Sequence, residues 1–349
     1  MNRKAIAVLF GGCSPEYPVS LESACAVIGG MDRKKYRPVP VGITRTGKWF
    51  FFGGAYEKIR DDTWHQAEDC VPALLSPNRG DKRLLLLRET GVESMGLDAV
   101  FPVLHGQNGE DGTVQGLAEL AGIPLVGCGT LASALCMDKD RAHRLAAAAG
   151  VSVPRSALIE AGTGREKMEA LAAEIGYPLF VKPVRAGSSF GVTRVPGAAR
   201  LRAAVELALQ YDRQVILEKA VEGVEVGCAV MGKHCLTVGE VDEIELSGGF
   251  FDFVEKYTLK TSAIHVPARL SSQKAEEVKE TAKCLYRALG CSGFARVDLF
   301  LTPQGRLVFN EINTIPGFTE HSRFPGMMKA AGLPFGELLS RMIEEAMEP

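Results

Sequence analysis

The chain has 349 residues, with 40 Lys+Arg against 42 Asp+Glu and a formal net charge of −2. At 46% hydrophobic and 23% charged residues it is neither disordered nor fibrous, and its length allows two or three domains with real cores. The near balance of charge argues against nucleic acid or an anionic membrane as main partner. None of the nine cysteines stands in a C-x-x-C pair, which excludes a zinc ribbon or thioredoxin-type motif and fits a reducing compartment.

The apolar run Ala5 to Phe10 predicts a buried strand. It is too short for a signal-peptide core or a membrane span, so the chain reads as a full-length cytoplasmic protein. Gly11 to Ser14 is a turn, a helix runs from Glu16 to about Gly29, and Val39 to Ile43 is a second strand. Strand, turn, helix, strand is the start of an open parallel sheet, with ligands beyond the strand C-termini. Residues 45–95 look peripheral. The pattern resumes with a strand at Asp98–Leu104, the glycine-rich loop His105–Gly112, a helix over Thr113–Ala121 and a strand at Pro124–Gly127.

Asp138 to Asp140 opens an alanine-rich helix that ends near Gly150, and Val151 to Pro154 reads as a joint. A second unit holds a helix at Glu166–Glu174, the strand Tyr177–Lys182 and a Gly/Ser loop. Val215 to Glu218 leads into a third. The expected fold class is α/β mixed with α+β, divided into residues 1–136, 137–215 and 216–349.

Walker A is absent, and so is a G-x-G-x-x-G after a strand. Phosphate handling must use another device. Lys182 lies in an apolar strand, where its charge calls for an anion. The loop Gly187–Gly191 follows, with hydroxyls and flexible N–H groups suited to phosphate. The plainer alternative is a snorkelling lysine beside an ordinary hairpin.

Phe294–Leu301 and Arg306–Asn313 read as two strands joined by the turn Thr302–Gly305. With that four-residue loop, Arg296 faces Glu311 and Asp298 faces Phe309. Period-two alternation then places Arg296, Asp298, Glu311 and Asn313 on one face. Asp298 and Glu311 become diagonal neighbours, about 7–8 Å apart. Carboxylates with an amide oxygen are hard ligands that suit Mg²⁺ more than zinc. The alternative is an Arg–Glu salt bridge on a solvated face.

Three further segments are weaker signals. In Glu218–Glu225, backbone groups of Lys219 and Val221 can read an adenine edge, and Glu225 can accept from ribose hydroxyls; the segment can equally be solvated acid. Phe250–Thr258, after the turn Ser247–Gly249, reads as an ordered lid loop. In Pro316–Pro325, Ser322 and Arg323 can meet a substrate carboxylate.

Taken together, Gly11-Gly-Cys-Ser-Pro-Glu16, His105-Gly-x-x-Gly-Glu-Asp-Gly112, Met137-Asp-Lys139, Lys182-Pro, Gly187-Ser-Ser189, Arg296-x-Asp298 and Asn310-Glu-x-Asn313-Thr-x-Pro-Gly317 resemble the D-alanine–D-alanine ligases. The motifs occur in that family's order over nearly the whole chain. The resemblance implies a three-domain ATP-grasp architecture with an N-terminal open parallel-sheet domain that binds D-alanine. It implies that Lys139 and Lys182 bind ATP phosphates under a loop holding Ser188 and Ser189. Glu218, Lys219, Val221 and Glu225 would hold adenosine. Asp298, Glu311 and Asn313 would bind two Mg²⁺ ions, with Mn²⁺ able to stand in.

The same resemblance gives Arg296 and the Gly317 N–H the oxyanion. Glu16, Ser188 and Tyr257 would form a hydrogen-bonded triad, with Glu16 receiving the first D-alanine's ammonium near His105. Lys256, Ser322 and Arg323 would lie around the transferred phosphate and the second substrate. It also implies a homodimer acting on small molecules, with no nucleic acid and no membrane.

Arg323 stands where housekeeping members usually carry an aliphatic residue. Glu255-Lys-Tyr-Thr258, preceded by Phe250-Phe-Asp-Phe253, looks like the vancomycin-resistance D-alanine–D-serine ligases of the VanG type. D-lactate-using relatives usually lack this Lys-Tyr pair. The expected reaction joins D-alanine to D-serine through a D-alanyl phosphate, for modified peptidoglycan precursors. The alternatives are a housekeeping D-alanine–D-alanine ligase and a non-catalytic ATP-grasp nucleotide sensor. Two departures stand out: Glu320 replaces a small residue, and Pro15 and Pro18 flank Glu16 and its neighbour.

Overall fold

The computed structural model describes residues 3–66, 68–246, 262–319 and 322–348, so Lys256, Tyr257, Glu320 and the expected lid segment lie outside the described residues. No helix among the described residues is long and apolar enough to cross a membrane.

Strand β1, Lys4–Gly11, is buried at every residue after Lys4. It pairs in parallel with β2, Tyr36–Ile43. An apolar run without alternation is the mark of a strand covered on both faces. The helix Tyr17–Gly30 follows β1 through a tight turn. A side chain at Gly11 would put its Cβ 2.2 Å from the Ile43 carbonyl, and Gly11 has φ +88°, so only glycine fits.

The segment read as peripheral carries four strands: β3 (Trp49–Phe52), β4 (Cys70–Leu75), β5 (Arg83–Arg88) and β6 (Gly91–Gly96). They extend the sheet antiparallel from β2, while β7 (Ala99–Pro102) pairs in parallel with β1 on the other side. Short strands broken by turns hide their period. The buried Trp64 ties them down by packing edge-on to Phe10 and Phe52. The expected strand at Pro124–Gly127 forms a single bridge, Val100 to Leu125.

The second sheet is antiparallel, built from β8 (Ser156–Glu160), β9 (Leu179–Pro183), β10 (Thr193–Val195) and β11 (Gln214–Lys219), in the order β10-β9-β11-β8. The third contains β12 (Val224–Met231), β13 (Thr237–Val238), β14 (Asp242–Leu246), β15 (Ser262–His265), β16 (Phe294–Leu301) and β17 (Leu307–Asn313). The helix Ser272–Ala288 opens on a Ser271 cap that accepts from the Lys274 N–H. It buries Val278, Ala282 and Leu285 against Val226, Val230 and Val297. The last helices, Arg323–Ala330 and Phe335–Met347, return to the first sheet. Phe324, Met327, Leu338 and Ile343 share one core with Ile6, Val8 and Phe10.

The β16–β17 pairing corrects the expected register. Leu301 faces Leu307 and Leu299 faces Phe309, but then the register shifts, so Asp298 faces Glu311 and Arg296 faces Asn313. Asn310 is the extra residue of a β-bulge. The cause lies in what each side needs. Phe309, fully buried, belongs in the core beside Leu299, whereas Glu311 must leave it. Strict alternation keeps residues 309 and 311 on one face, and a bulge separates them.

Candidate active site

Two cavities, of about 610 and 460 Å³, meet between the three sheets. Lys139, Ala186, Gly187, Ser188 and Glu311 line both. The first cavity collects Glu16, His105, Arg296, Asn313, Gly317, Ser322 and Arg323. The second collects Lys182, Ser189, Glu218, Lys219, Val221 and Glu225. The sequence expectations for the first substrate and for the nucleotide therefore gather in two adjoining spaces.

Glu16 sits just before the helix Tyr17–Gly30 and is buried. The Ser188 hydroxyl donates to its Oε1. A Cβ on Gly106 would lie 2.6 Å from Glu16 Oε2, and one on Gly187 2.8 Å from it. Two loops from different sheets thus close on one carboxylate. Ser188 and Ser189 hold φ of +46° and +61°, left-handed values that side chains rarely adopt. Such strain concentrates where a loop is shaped for a ligand.

Burial pushes the His105 imidazole down to about 4, with Arg296 adding to the effect, so it is neutral at pH 7. Glu110 was missed as a site residue. It lines the first cavity, and its Oε2 accepts the Gly106 N–H at 2.7 Å. Burial, then the nearby Glu16, pushes its carboxyl well above the usual carboxylate range. The signal available was an acid inside a glycine-rich loop.

Beneath the first cavity lies a charged cluster. Arg296 donates to Asp298 through Nε, at 2.9 and 3.1 Å, and through Nη2 at 2.7 Å. Arg323 donates to Asp242 at 2.7 and 2.8 Å and to Glu225 at 3.1 Å, and its Nη2 stands 3.2 Å from Asp298. Burial works against both guanidinium charges, but Asp298 beside Arg296 and Asp242 beside Arg323 outweigh it. Gly227 makes the room: a Cβ there would fall 2.3 Å from Arg323 Nη2 and 2.6 Å from Asp242 Oδ1. Asp242 is fully buried and was also missed, because no motif surrounds it.

In the second cavity Lys182 Nζ lies 2.6 Å from Glu218 Oε1. These two are a cross-strand diagonal, since Lys182 faces Ile216. Lys139 Nζ donates to the Ala186 carbonyl at 2.7 Å, anchoring the loop that carries Ser188. The Lys219 side chain donates to the Tyr177 carbonyl at 2.9 Å.

Among the described residues no group of three or more His, Cys, Asp or Glu is arranged to hold a metal. The mixed set Asp298, Glu311 and Asn313 is nevertheless all hard oxygen. Asp298 and Glu311 face each other directly across the strand pair, closer than the expected diagonal. That donor chemistry fits Mg²⁺.

The sequence family described as D-ala D-ala ligase N-terminus matches residues 5–128, and that described as D-ala D-ala ligase C-terminus matches residues 145–344. The fold is similar to the crystal structure of VanG D-Ala:D-Ser ligase from Enterococcus faecalis, with a TM-score of 0.90 and 53% identity over 99% of this chain and 100% of that one. The sequence is 46% identical over 352 residues to a putative D-alanine–D-lactate ligase of Streptomyces coelicolor, covering 99% of each. It is 39% identical over 353 residues to a D-alanine–D-alanine ligase of Caldicellulosiruptor bescii, covering 100% of this chain and 96% of that protein.

Proposed function

The chain belongs to the D-alanine–D-alanine ligase family, and from that premise we propose that it joins D-alanine to D-serine at the expense of ATP. The names of its relatives carry three different second substrates, so membership alone does not choose among them. The observation that carries the choice is that Arg323, its guanidinium held by Asp242, Glu225 and Asp298, lines the first cavity. Serine differs from alanine by one hydroxyl. A site with a polar partner for that hydroxyl prefers serine, and an aliphatic site does not. The likeness to the VanG D-Ala:D-Ser ligase supports the same reading.

The chemistry follows from the residues. A carboxylate is a poor acyl donor because oxide does not leave. In the proposed first step a D-alanine carboxylate oxygen attacks the γ-phosphorus of ATP, and ADP departs. Glu16 holds that D-alanine's ammonium, with His105 beside it. Lys139, Lys182, Ser188 and Ser189 hold the phosphates in line, and Glu218, Lys219, Val221 and Glu225 hold adenosine. Asp298, Glu311 and Asn313 would hold Mg²⁺, which neutralises phosphate charge when bound. In the second step the amino group of D-serine attacks the acyl carbon, a proton leaves the nitrogen, and inorganic phosphate departs. Arg296 and the Gly317 N–H stabilise the oxyanion. Tyr257 and Lys256 belong to this proposal through family resemblance. The product serves as a modified peptidoglycan precursor, the use expected in vancomycin resistance.

Removing Arg323 alone would leave Asp242 charged, buried and unpaired by its guanidinium, a fault that destabilises proteins. The informative variant is therefore Arg323→Leu with Asp242→Asn. A hydrogen bond to a charged group contributes about 1.5–3 kcal/mol, so the D-serine to D-alanine ratio of kcat/KM should fall about 10–100-fold. An unchanged ratio would show that Arg323 does not set the choice of second substrate.

A further inference from the structure

His143 has no part in the roles described above. It lies on the helix Lys139–Ala148, one turn beyond Lys139, and is 3% exposed. Its Nε2 stands 3.3 Å from the Asn310 carbonyl oxygen and 3.8 Å from Glu218 Oε2. Its ring meets the edge of Phe309, with centroids 5.7 Å apart. Burial, against the pull of Glu218, pushes the imidazole below its ordinary range, so the ring is neutral at pH 7. A neutral imidazole carries one proton, and a carbonyl oxygen only accepts. The proton therefore sits on Nε2, and the ring donates to Asn310. In keeping with that tautomer, Nδ1 has no hydrogen-bond partner among the described residues.

Asn310 is the extra residue of the β16–β17 bulge. A bulged residue has no place in the ladder, so its backbone groups must be satisfied elsewhere. His143 supplies a donor to that carbonyl. We propose that His143 is a positioning residue for Glu311: by holding the Asn310 carbonyl, it fixes the bulge that turns Glu311 out of the core and into the wall shared by both cavities. The inference rests on the reading of Glu311 as a metal ligand.

The test uses the full-length protein with ADP, titrated with Mn²⁺ and read as free Mn²⁺ by electron paramagnetic resonance. His143→Phe keeps a ring against Phe309 and removes the donor. His143→Leu is a second donorless variant, and His143→Gln restores an N–H. Both donorless variants should bind Mn²⁺ about 10-fold more weakly, the scale of a lost outer partner, while KM for D-alanine stays within about 2-fold. His143→Gln should recover to within about 3-fold of the parent. Parent-like Mn²⁺ affinity in a folded donorless variant would overturn the inference, as would equal weakening in all three. Glu311→Gln, run alongside, separates the two claims. If Glu311→Gln binds Mn²⁺ normally, the metal reading fails. If it binds weakly while the donorless variants bind normally, only the role of His143 fails.

Discussion

Glu311→Gln is expected to lower kcat by on the order of 10³-fold, the equivalent of about 4 kcal/mol of transition-state stabilisation. The substitution keeps the shape of the side chain and removes its charge. Glu311 lines both cavities, so in the proposed reaction it would meet nucleotide and acyl group together. It faces Asp298 directly, and the pair supplies the two carboxylates of the proposed Mg²⁺ site. Steady-state ADP release as a function of Mg²⁺ concentration measures the effect. The apparent affinity for Mg²⁺ should fall with kcat. Parent-like rates at ordinary Mg²⁺ would refute the metal face.

Arg296→Met is expected to lower kcat by about 10²–10³-fold, the loss seen when one oxyanion donor is removed. Arg296 lines the first cavity while its Nε and Nη2 hold Asp298. Methionine keeps much of the stem and removes every donor. A lower Tm should accompany the change, because among the described residues Asp298 then keeps only Arg323 as a cationic partner. The kinetic assay therefore belongs well below the variant's Tm. A kcat within about 10-fold of the parent, in folded protein, would contradict the oxyanion role.

Much of the candidate site was legible in the sequence because its residues stand in local motifs. Glu16, His105, Lys139, Lys182, Ser188, Arg296 and Glu311 each stand in a short pattern, and the fold brings them to two adjoining cavities. What escaped depends on distant parts of the chain. Asp242 has no signature of its own. It matters because Arg323, 81 residues away, reaches it. The upward push on the Glu110 carboxyl arises from burial and from Glu16, which is far from it in the chain. The bulge at Asn310 answers opposite demands on Phe309 and Glu311, which period-two alternation cannot express. The strands between Trp49 and Gly96 are too short for a clear period. The last two helices reveal their place only through contacts with the first sheet.

The proposed second substrate is D-serine. Supplying D-alanine and D-serine together at equal concentration and neutral pH, with ATP and Mg²⁺, and weighing the dipeptides by mass spectrometry tests it most directly. D-alanyl-D-serine should dominate. A product mixture dominated by D-alanyl-D-alanine would contradict it.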